Sequence, residues 1–192
     1  MRRVTELLGG CAGLLLAAGV HGQSCDTVLN TGSLDLTQGG VSCADTGITT
    51  ANFFAKSYDL SVLLPGEDFE LSCIEFGATN GNTTALEATI TVYVDTDGGD
   101  PRAPGVDMEA IGTTTLELAG ASGNVLLQAS FDPPLCLGAG GTYVVEMGIP
   151  QATDGFASIA GNVGPDNQTF IRADDCGLNE YVSYASIGFD TQ

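Results

Sequence analysis

The sequence has no Trp and a single His, and it carries only five Lys and Arg residues against 24 Asp and Glu residues. The one imidazole, His21, lies in a segment that we expect to be removed from the mature protein. The composition therefore excludes a Ser-His-Asp relay, a His-assisted thiol and His-containing zinc sites. The shortage of cations also excludes nucleic-acid binding, which requires Lys and Arg to neutralise phosphates.

The N-terminus has the pattern of an export signal. Arg2 and Arg3 precede an apolar run over residues 7–20, and short residues lie next to a plausible cut before Gln23. This order is typical of a secretory signal peptide, and the run is shorter than the roughly 20 residues of a membrane-spanning helix. We therefore expect residues 1–22 to be cleaved. The mature protein is expected to be secreted or at the cell surface, extracellular or periplasmic, without membrane insertion.

The charge of the mature chain is strongly negative. The formal net charge of the whole sequence is −19, and cleavage leaves Lys56, Arg102 and Arg172 as the only cations. Such a chain is repelled by anionic lipid as well as by nucleic acid. Two interpretations of the acidity stay open: solubility in a saline or calcium-rich exterior, and a surface that gathers divalent cations.

Five cysteines follow the predicted cut, and in an oxidising exterior they are expected to form two disulfides. Spacing does not fix their connectivity. Cys73 and Cys136 each lie in a strand-like segment, so we favour a bond between them, with Cys43–Cys176 as the second pair. Cys25 would then be left over, either free or available for self-association with another molecule.

Period-2 alternation of apolar and polar residues recurs along the mature chain, between clusters of Gly, Asn, Asp and Pro. In Leu86–Asp95 the apolar face carries Leu86, Ile90 and Val92, and Thr142–Ile149 repeats the pattern. Both segments are typical of half-buried antiparallel strands. The other candidate strands are residues 53–64, 69–76, 112–118, 125–131, 156–160, 169–173 and 181–189.

About nine short strands with Gly- and Pro-rich turns favour an all-β fold, a two-sheet antiparallel β-sandwich of the jelly-roll type. We expect one domain over residues 46–192, preceded by an irregular lead-in over residues 23–45.

Several short motifs in this part of the chain resemble secreted bacterial β-sandwich modules, which are often appended to exported enzymes and surface proteins. The motifs are Ala51-Asn52-Phe53-Phe54, Val92-Tyr93-Val94-Asp95, Asp97-Gly98-Gly99-Asp100-Pro101, Pro104-Gly105 and Leu137-Gly138-Ala139-Gly140-Gly141-Thr142-Tyr143. The likeness covers roughly residues 53–189. It implies the sandwich fold, an exterior location and an accessory role, and it supplies no catalytic residue.

One loop has the composition of a cation site. Asp95, Asp97, Asp100 and Asp107 follow or flank a Gly-rich stretch, where alternating carboxylates can direct oxygens at one calcium ion. The loop lacks the register of an EF-hand, since Gly99 stands at the fifth position. The same residues also suit a tight strand connection, so calcium binding and a simple turn are both open.

Catalysis would have to use paired carboxylates. Glu75 and Glu146 lie in otherwise apolar strands and are the candidates for a glycoside hydrolase, but their outward phase favours solvated sheet positions. Tyr93 stands on the polar phase of its strand and is a candidate for stacking on a ligand such as a glycan.

The sequence as a whole favours a non-catalytic protein with a binding or adhesion role, whose ligand is calcium, an extracellular glycan or another surface protein. The alternatives are a self-associating structural subunit of envelope or matrix, and a carboxylate-dependent glycoside hydrolase.

Overall fold

A computed structural model describes residues 36–161 and 169–188. In these ranges the chain forms twelve strands and one short helix, α1, at Leu60–Leu63. The strands are β1 Gln38–Gly39, β2 Ala44–Asp45, β3 Ile48–Thr49, β4 Asn52–Asp59, β5 Phe69–Asn80, β6 Leu86–Asp95, β7 Met108–Leu118, β8 Ser122–Leu137, β9 Thr142–Ile149, β10 Ala157–Gly161, β11 Thr169–Ala173 and β12 Leu178–Ser183. No helix in the described part of the chain is both long and apolar enough to cross a membrane.

The strands form two main antiparallel sheets and a small hairpin of β2 and β3. One sheet has the order β1-β10-β5-β8, and the other has the order β12-β11-β4-β9-β6-β7. Each sheet therefore interleaves strands from the two halves of the chain, which is the arrangement of a jelly roll. β11 and β12 extend the second sheet beside β4. The prediction of an all-β sandwich is confirmed.

The core lies between the two sheets and follows the period-2 pattern of the sequence. Along β6, Ile90 and Val92 are fully buried, and Met147 on the neighbouring β9 packs into the same cluster. The other sheet contributes Phe131 from β8. Because alternate side chains of a strand point to opposite faces, this pattern fixes which face of each sheet is internal.

A second cluster of buried residues lies on the outer face of the six-stranded sheet. We call it the outer cluster, and it consists of Ala55, Tyr93, Met108, Val144, Phe170 and Tyr181. Phe53 packs against it. The part of the outer face under this cluster is therefore removed from water, which matters for the polar residues that point into it.

Two predicted strands end earlier than expected. Residues 53–64 were expected to be one strand, but β4 ends at Asp59, whose Oδ1 accepts the amide of Ser61 at 2.8 Å and caps α1. Residues 181–189 were also expected to be extended. Instead β12 ends at Ser183 and a 3₁₀ turn follows at Tyr184–Ile187, with Tyr184 buried.

The predicted lead-in over residues 23–45 is described only from residue 36, and that part contributes β1, β2 and a disulfide. Cys43 is bonded to Cys176, as predicted, with a Cα–Cα distance of 5.9 Å. Cys73 and Cys136, on the neighbouring strands β5 and β8, are also disulfide-bonded. The predicted signal peptide over residues 1–22 and Cys25 lie outside the described residues.

Candidate cation site and the adjoining groove

Three aspartates meet where β6 ends and β7 begins. Asp95 is the last residue of β6, Asp97 follows in the loop, and Asp107 directly precedes β7. One carboxylate oxygen from each residue lies within 4.8 Å of the corresponding oxygen of the other two. Two oxygens bound to one calcium ion are at most about 5 Å apart, so this cluster has the dimensions of a calcium site.

Local hydrogen bonds fix the Asp95 carboxylate. Its Oδ1 accepts the amides of Asp97 at 3.1 Å and of Gly98 at 2.9 Å. Gly98 has a φ of +70°, a conformation that glycine adopts at little cost and other residues rarely adopt. The glycine thus allows the chain to fold back over the end of β6.

Asp107 is held by the opposite side of the same loop. Its backbone carbonyl accepts both the amide and the hydroxyl of Thr96, each at 2.8 Å. Its Oδ1 accepts the amide of Arg102 at 3.3 Å. A tight turn at Gly105, whose amide donates to the carbonyl of Met108 at 3.0 Å, then leads the chain into β7.

Two carboxylate oxygens in this cluster are buried without a partner. Asp95 and Asp107 are 5% and 6% exposed, and the Oδ2 atom of each accepts no hydrogen bond in the described part of the chain. Burial raises the pKa of Asp95 above its ordinary value, and the nearby carboxylates of Asp97 and Asp107 act in the same direction. Since a buried charge is costly unless it is paired or bound to metal, the arrangement suits a hard cation.

The fourth predicted ligand lies apart from this cluster. Asp100 is exposed, and the structure does not group it with Asp95, Asp97 and Asp107. Three of the four predicted aspartates are thus brought together. The loop residues that hold them, Thr96 above all, were not predicted, because their contribution comes mainly from backbone atoms.

A groove of about 460 Å³ adjoins the aspartate cluster. It is lined by Tyr93, Thr96, Pro104, Gly105, Val106, Asp107, Met108, Glu109 and Ala110. Asp107 therefore belongs both to the cluster and to the wall of the groove. Val106 is 60% exposed at this wall, and it offers an apolar surface beside the carboxylates.

Tyr93 does not have the exposed position expected of a stacking residue. It is 7% exposed, and its hydroxyl donates to Oε1 of Glu146 at 3.0 Å. Burial and the neighbouring carboxylate of Glu146 raise the pKa of Tyr93 to about 12. Its ring contributes to the lining of the groove but presents too little surface to act as a platform for a sugar ring.

Glu146 is buried, so the expectation that it is solvated is wrong. It is 5% exposed and accepts hydrogen bonds from the hydroxyls of Tyr93 and Tyr181. Arg172 approaches it, with Nη2 3.8 Å from Oε2, and the guanidinium stacks on Phe53 at 3.9 Å. The outward phase of Glu146 was predicted correctly, but this face is covered by the outer cluster. Glu146 therefore has the partners of a structural buried charge.

The two glutamates proposed for a hydrolase lie on different sheets. Glu75 is on β5 of the four-stranded sheet, between Ile74 and Phe76, which pack against the core. Glu146 is on β9 of the six-stranded sheet and also points away from the core. The structure therefore does not bring them together as a carboxylate pair.

Comparisons with known proteins leave the family of the chain open. No protein-family model matches it, and no curated protein matches it. The chain is similar in structure to the solved cysteine protease and lectin-like domains of Cwp84, a surface layer associated protein of Clostridium difficile, with 12% sequence identity and a TM-score of 0.40. The match covers 72% of this chain and 29% of that chain. A similarity at this level does not assign a function.

Proposed function

We propose that this protein is an exported, calcium-binding β-sandwich with a binding role, and that Asp95, Asp97 and Asp107 hold the ion. One observation carries the proposal: the Oδ2 atoms of Asp95 and Asp107 are buried without hydrogen-bond partners inside a cluster of three carboxylates. A bound cation would compensate both buried charges at once. It would also tie the end of β6 to the start of β7.

Calcium suits the site better than magnesium or zinc. The donors are oxygens from an irregular loop, and calcium tolerates such variable geometry, whereas magnesium demands a near-ideal octahedron and gives up its water reluctantly. Zinc prefers nitrogen and sulfur ligands, and neither ligand type occurs in this group. The dissociation constant is expected to be about 0.1–1 mM, as is typical of calcium sites in extracellular modules.

Export is part of the proposal. The Cys43–Cys176 disulfide supports it, because disulfides persist mainly in oxidising compartments. Millimolar calcium is common outside cells, so a site of this affinity would be occupied there.

Titration calorimetry with calcium tests the proposal. Wild-type protein is expected to bind one calcium ion per chain, and Asp107→Asn is expected to bind at least tenfold more weakly. Asp100→Asn is the matched control, since it removes the same charge from an exposed position of the same loop. If both variants bind calcium equally weakly, calcium binding depends only on the general negative charge of the loop. That result would overturn the assignment of the site.

A further inference from the structure

The bound ion would be incompletely coordinated by the aspartates that hold it. In each carboxylate, Oδ1 accepts a backbone amide: Asp97 and Gly98 donate to Asp95, Gly99 to Asp97 and Arg102 to Asp107. Each aspartate offers one carboxylate oxygen to a common ion. Calcium takes six to eight oxygen ligands. The three aspartates thus supply at most half of them, and the carbonyl of Asp107 is already used by Thr96.

The groove adjoins the aspartate cluster. Asp107 and Thr96 line it, and its volume of about 460 Å³ is within the range of small-molecule sites, large enough for one or two sugar rings. Asp97 is exposed, so the cluster lies at the protein surface. The exposed side chain of Val106 and the neighbouring Pro104 give the groove an apolar wall next to the ion.

Charge decides which class of oxygen ligand fits. Three carboxylates around one doubly charged ion leave one net negative charge, and Glu109 adds a second at the groove. The chain as a whole carries −19. An anionic ligand would have to approach against this field, whereas a neutral ligand would not.

We propose that the groove binds a neutral glycan, and that two adjacent hydroxyls of one sugar coordinate the calcium ion while the sugar's apolar face packs on the wall at Val106. This inference rests on the proposed function, because it requires the ion. The pair of hydroxyls replaces two water molecules on the ion, and the wall selects sugars that have an apolar face next to the hydroxyl pair.

The first measurement counts the water molecules on the ion. Terbium(III) replaces calcium at oxygen sites, and its luminescence lifetimes in H₂O and D₂O report the number of bound waters. The chain has no Trp, and Tyr93, which lines the groove with Asp107, can act as the sensitiser. We expect three or more waters on terbium in wild-type protein. A glycan array in millimolar calcium is expected to select neutral glycans, and the best of them is expected to remove about two waters from the terbium site.

Two matched variants separate the groove from the ion site. Ala110 lines the groove and is exposed on β7, so Ala110→Phe is expected to retain terbium binding and to lose glycan binding at least tenfold. Thr115 is also exposed on β7 but does not line the groove, and Thr115→Phe is expected to retain both.

The possible outcomes distinguish the two proposals. Terbium binding with no more than one bound water, or an array without any neutral glycan bound in calcium, overturns the glycan proposal and leaves the calcium site intact. A preference for acidic glycans or acidic peptides also overturns it. If terbium does not bind, or if Asp107→Asn binds it as well as wild type does, the calcium site itself is wrong.

Discussion

Replacing Asp107 by Asn is expected to stabilise the protein without calcium and to remove much of the stabilisation that calcium gives. In a chelator, the wild-type cluster holds three carboxylates whose oxygens lie within 4.8 Å of one another, two of them buried. Asn removes one of these charges and keeps an Oδ1 acceptor for the amide of Arg102. The variant should therefore be more stable than wild type in the chelator. In calcium this advantage is lost, because the ion stabilises the wild-type protein by more than it stabilises the variant.

The size of both effects can be worked from the geometry. At 4.8 Å, the largest separation in the cluster, two unit charges repel each other by roughly 3 kcal/mol at an effective dielectric constant of about 20. Screening and relaxation reduce this, and we expect a gain of about 1 kcal/mol, or about 2–4 °C in melting temperature. Calcium at about 10 mM and a dissociation constant of about 0.1–1 mM stabilise the wild type by about 1.4–2.7 kcal/mol. This corresponds to about 3–11 °C.

The assay is thermal unfolding followed by far-ultraviolet circular dichroism, in chelator and in calcium. Asp100→Asn is the control and is expected to follow wild type within about 0.5 kcal/mol in both conditions, as exposed substitutions usually do. If Asp107→Asn lowers the melting temperature equally in chelator and in calcium, the carboxylate has a structural role in the loop. That result would refute a role for Asp107 as a cation ligand.

Trypsin is expected to cut after Arg102, in the loop between β6 and β7, several-fold more slowly in calcium; equal rates in chelator and calcium, measured on reducing gels, would count against an ion in this loop. Replacing both Cys43 and Cys176 by Ser should lower the free energy of unfolding by roughly 3–5 kcal/mol, since the bond closes a loop with a sequence separation of 133; a loss below 1 kcal/mol in urea titrations would contradict this. Asn82 is fully buried, and its Oδ1 accepts hydrogen bonds from Oγ1 of Thr153 at 3.0 Å and from the amide of Asp154 at 2.9 Å. Asn82→Ala should therefore lower the free energy of unfolding by about 2–3 kcal/mol in the same urea titrations. An unchanged urea midpoint would show that these hydrogen bonds do not contribute to stability. Because the pKa of Tyr93 is raised to about 12, the folded state keeps a proton that unfolded tyrosine loses above pH 10. The contribution of Tyr93 to the free energy of unfolding is therefore fully present below pH 10 and is lost as the pH rises towards 12. By pH 12 the free energy of unfolding of wild type should fall by roughly 2 kcal/mol more than that of Tyr93→Phe; parallel pH profiles of the two proteins would refute this.

Most of the fold follows from the alternation of apolar residues. Each of the nine strands with five or more residues in the described ranges overlaps a predicted segment, and the bounds of Leu86–Asp95 and Thr142–Ile149 agree with the prediction. The two-residue strands β1–β3 were not predicted, because two residues are too few to show a period. α1 was mistaken for strand, since its four residues are mostly apolar and its start depends on one capping bond from Asp59.

The candidate site was predictable in part, and the limits have physical causes. The spacing of acidic residues in a Gly-rich loop placed Asp95, Asp97 and Asp107 correctly near one another. It also included Asp100, because the sequence does not show how the turns at Gly98 and Gly105 direct each side chain. Alternation likewise gave the correct face for Glu146, but it cannot show whether that face is covered. Coverage depends on the outer cluster, which residues from several strands form together.

The most direct test of the central claim is a crystal structure of the protein grown with terbium or calcium, with an anomalous difference map calculated at the ion's absorption. We expect one strong peak at the end of β6, about 2.3–2.6 Å from an oxygen of each of Asp95, Asp97 and Asp107. A map without a peak between these three carboxylates, with the Oδ2 atoms of Asp95 and Asp107 hydrogen-bonded to water or to each other through a proton, would contradict it.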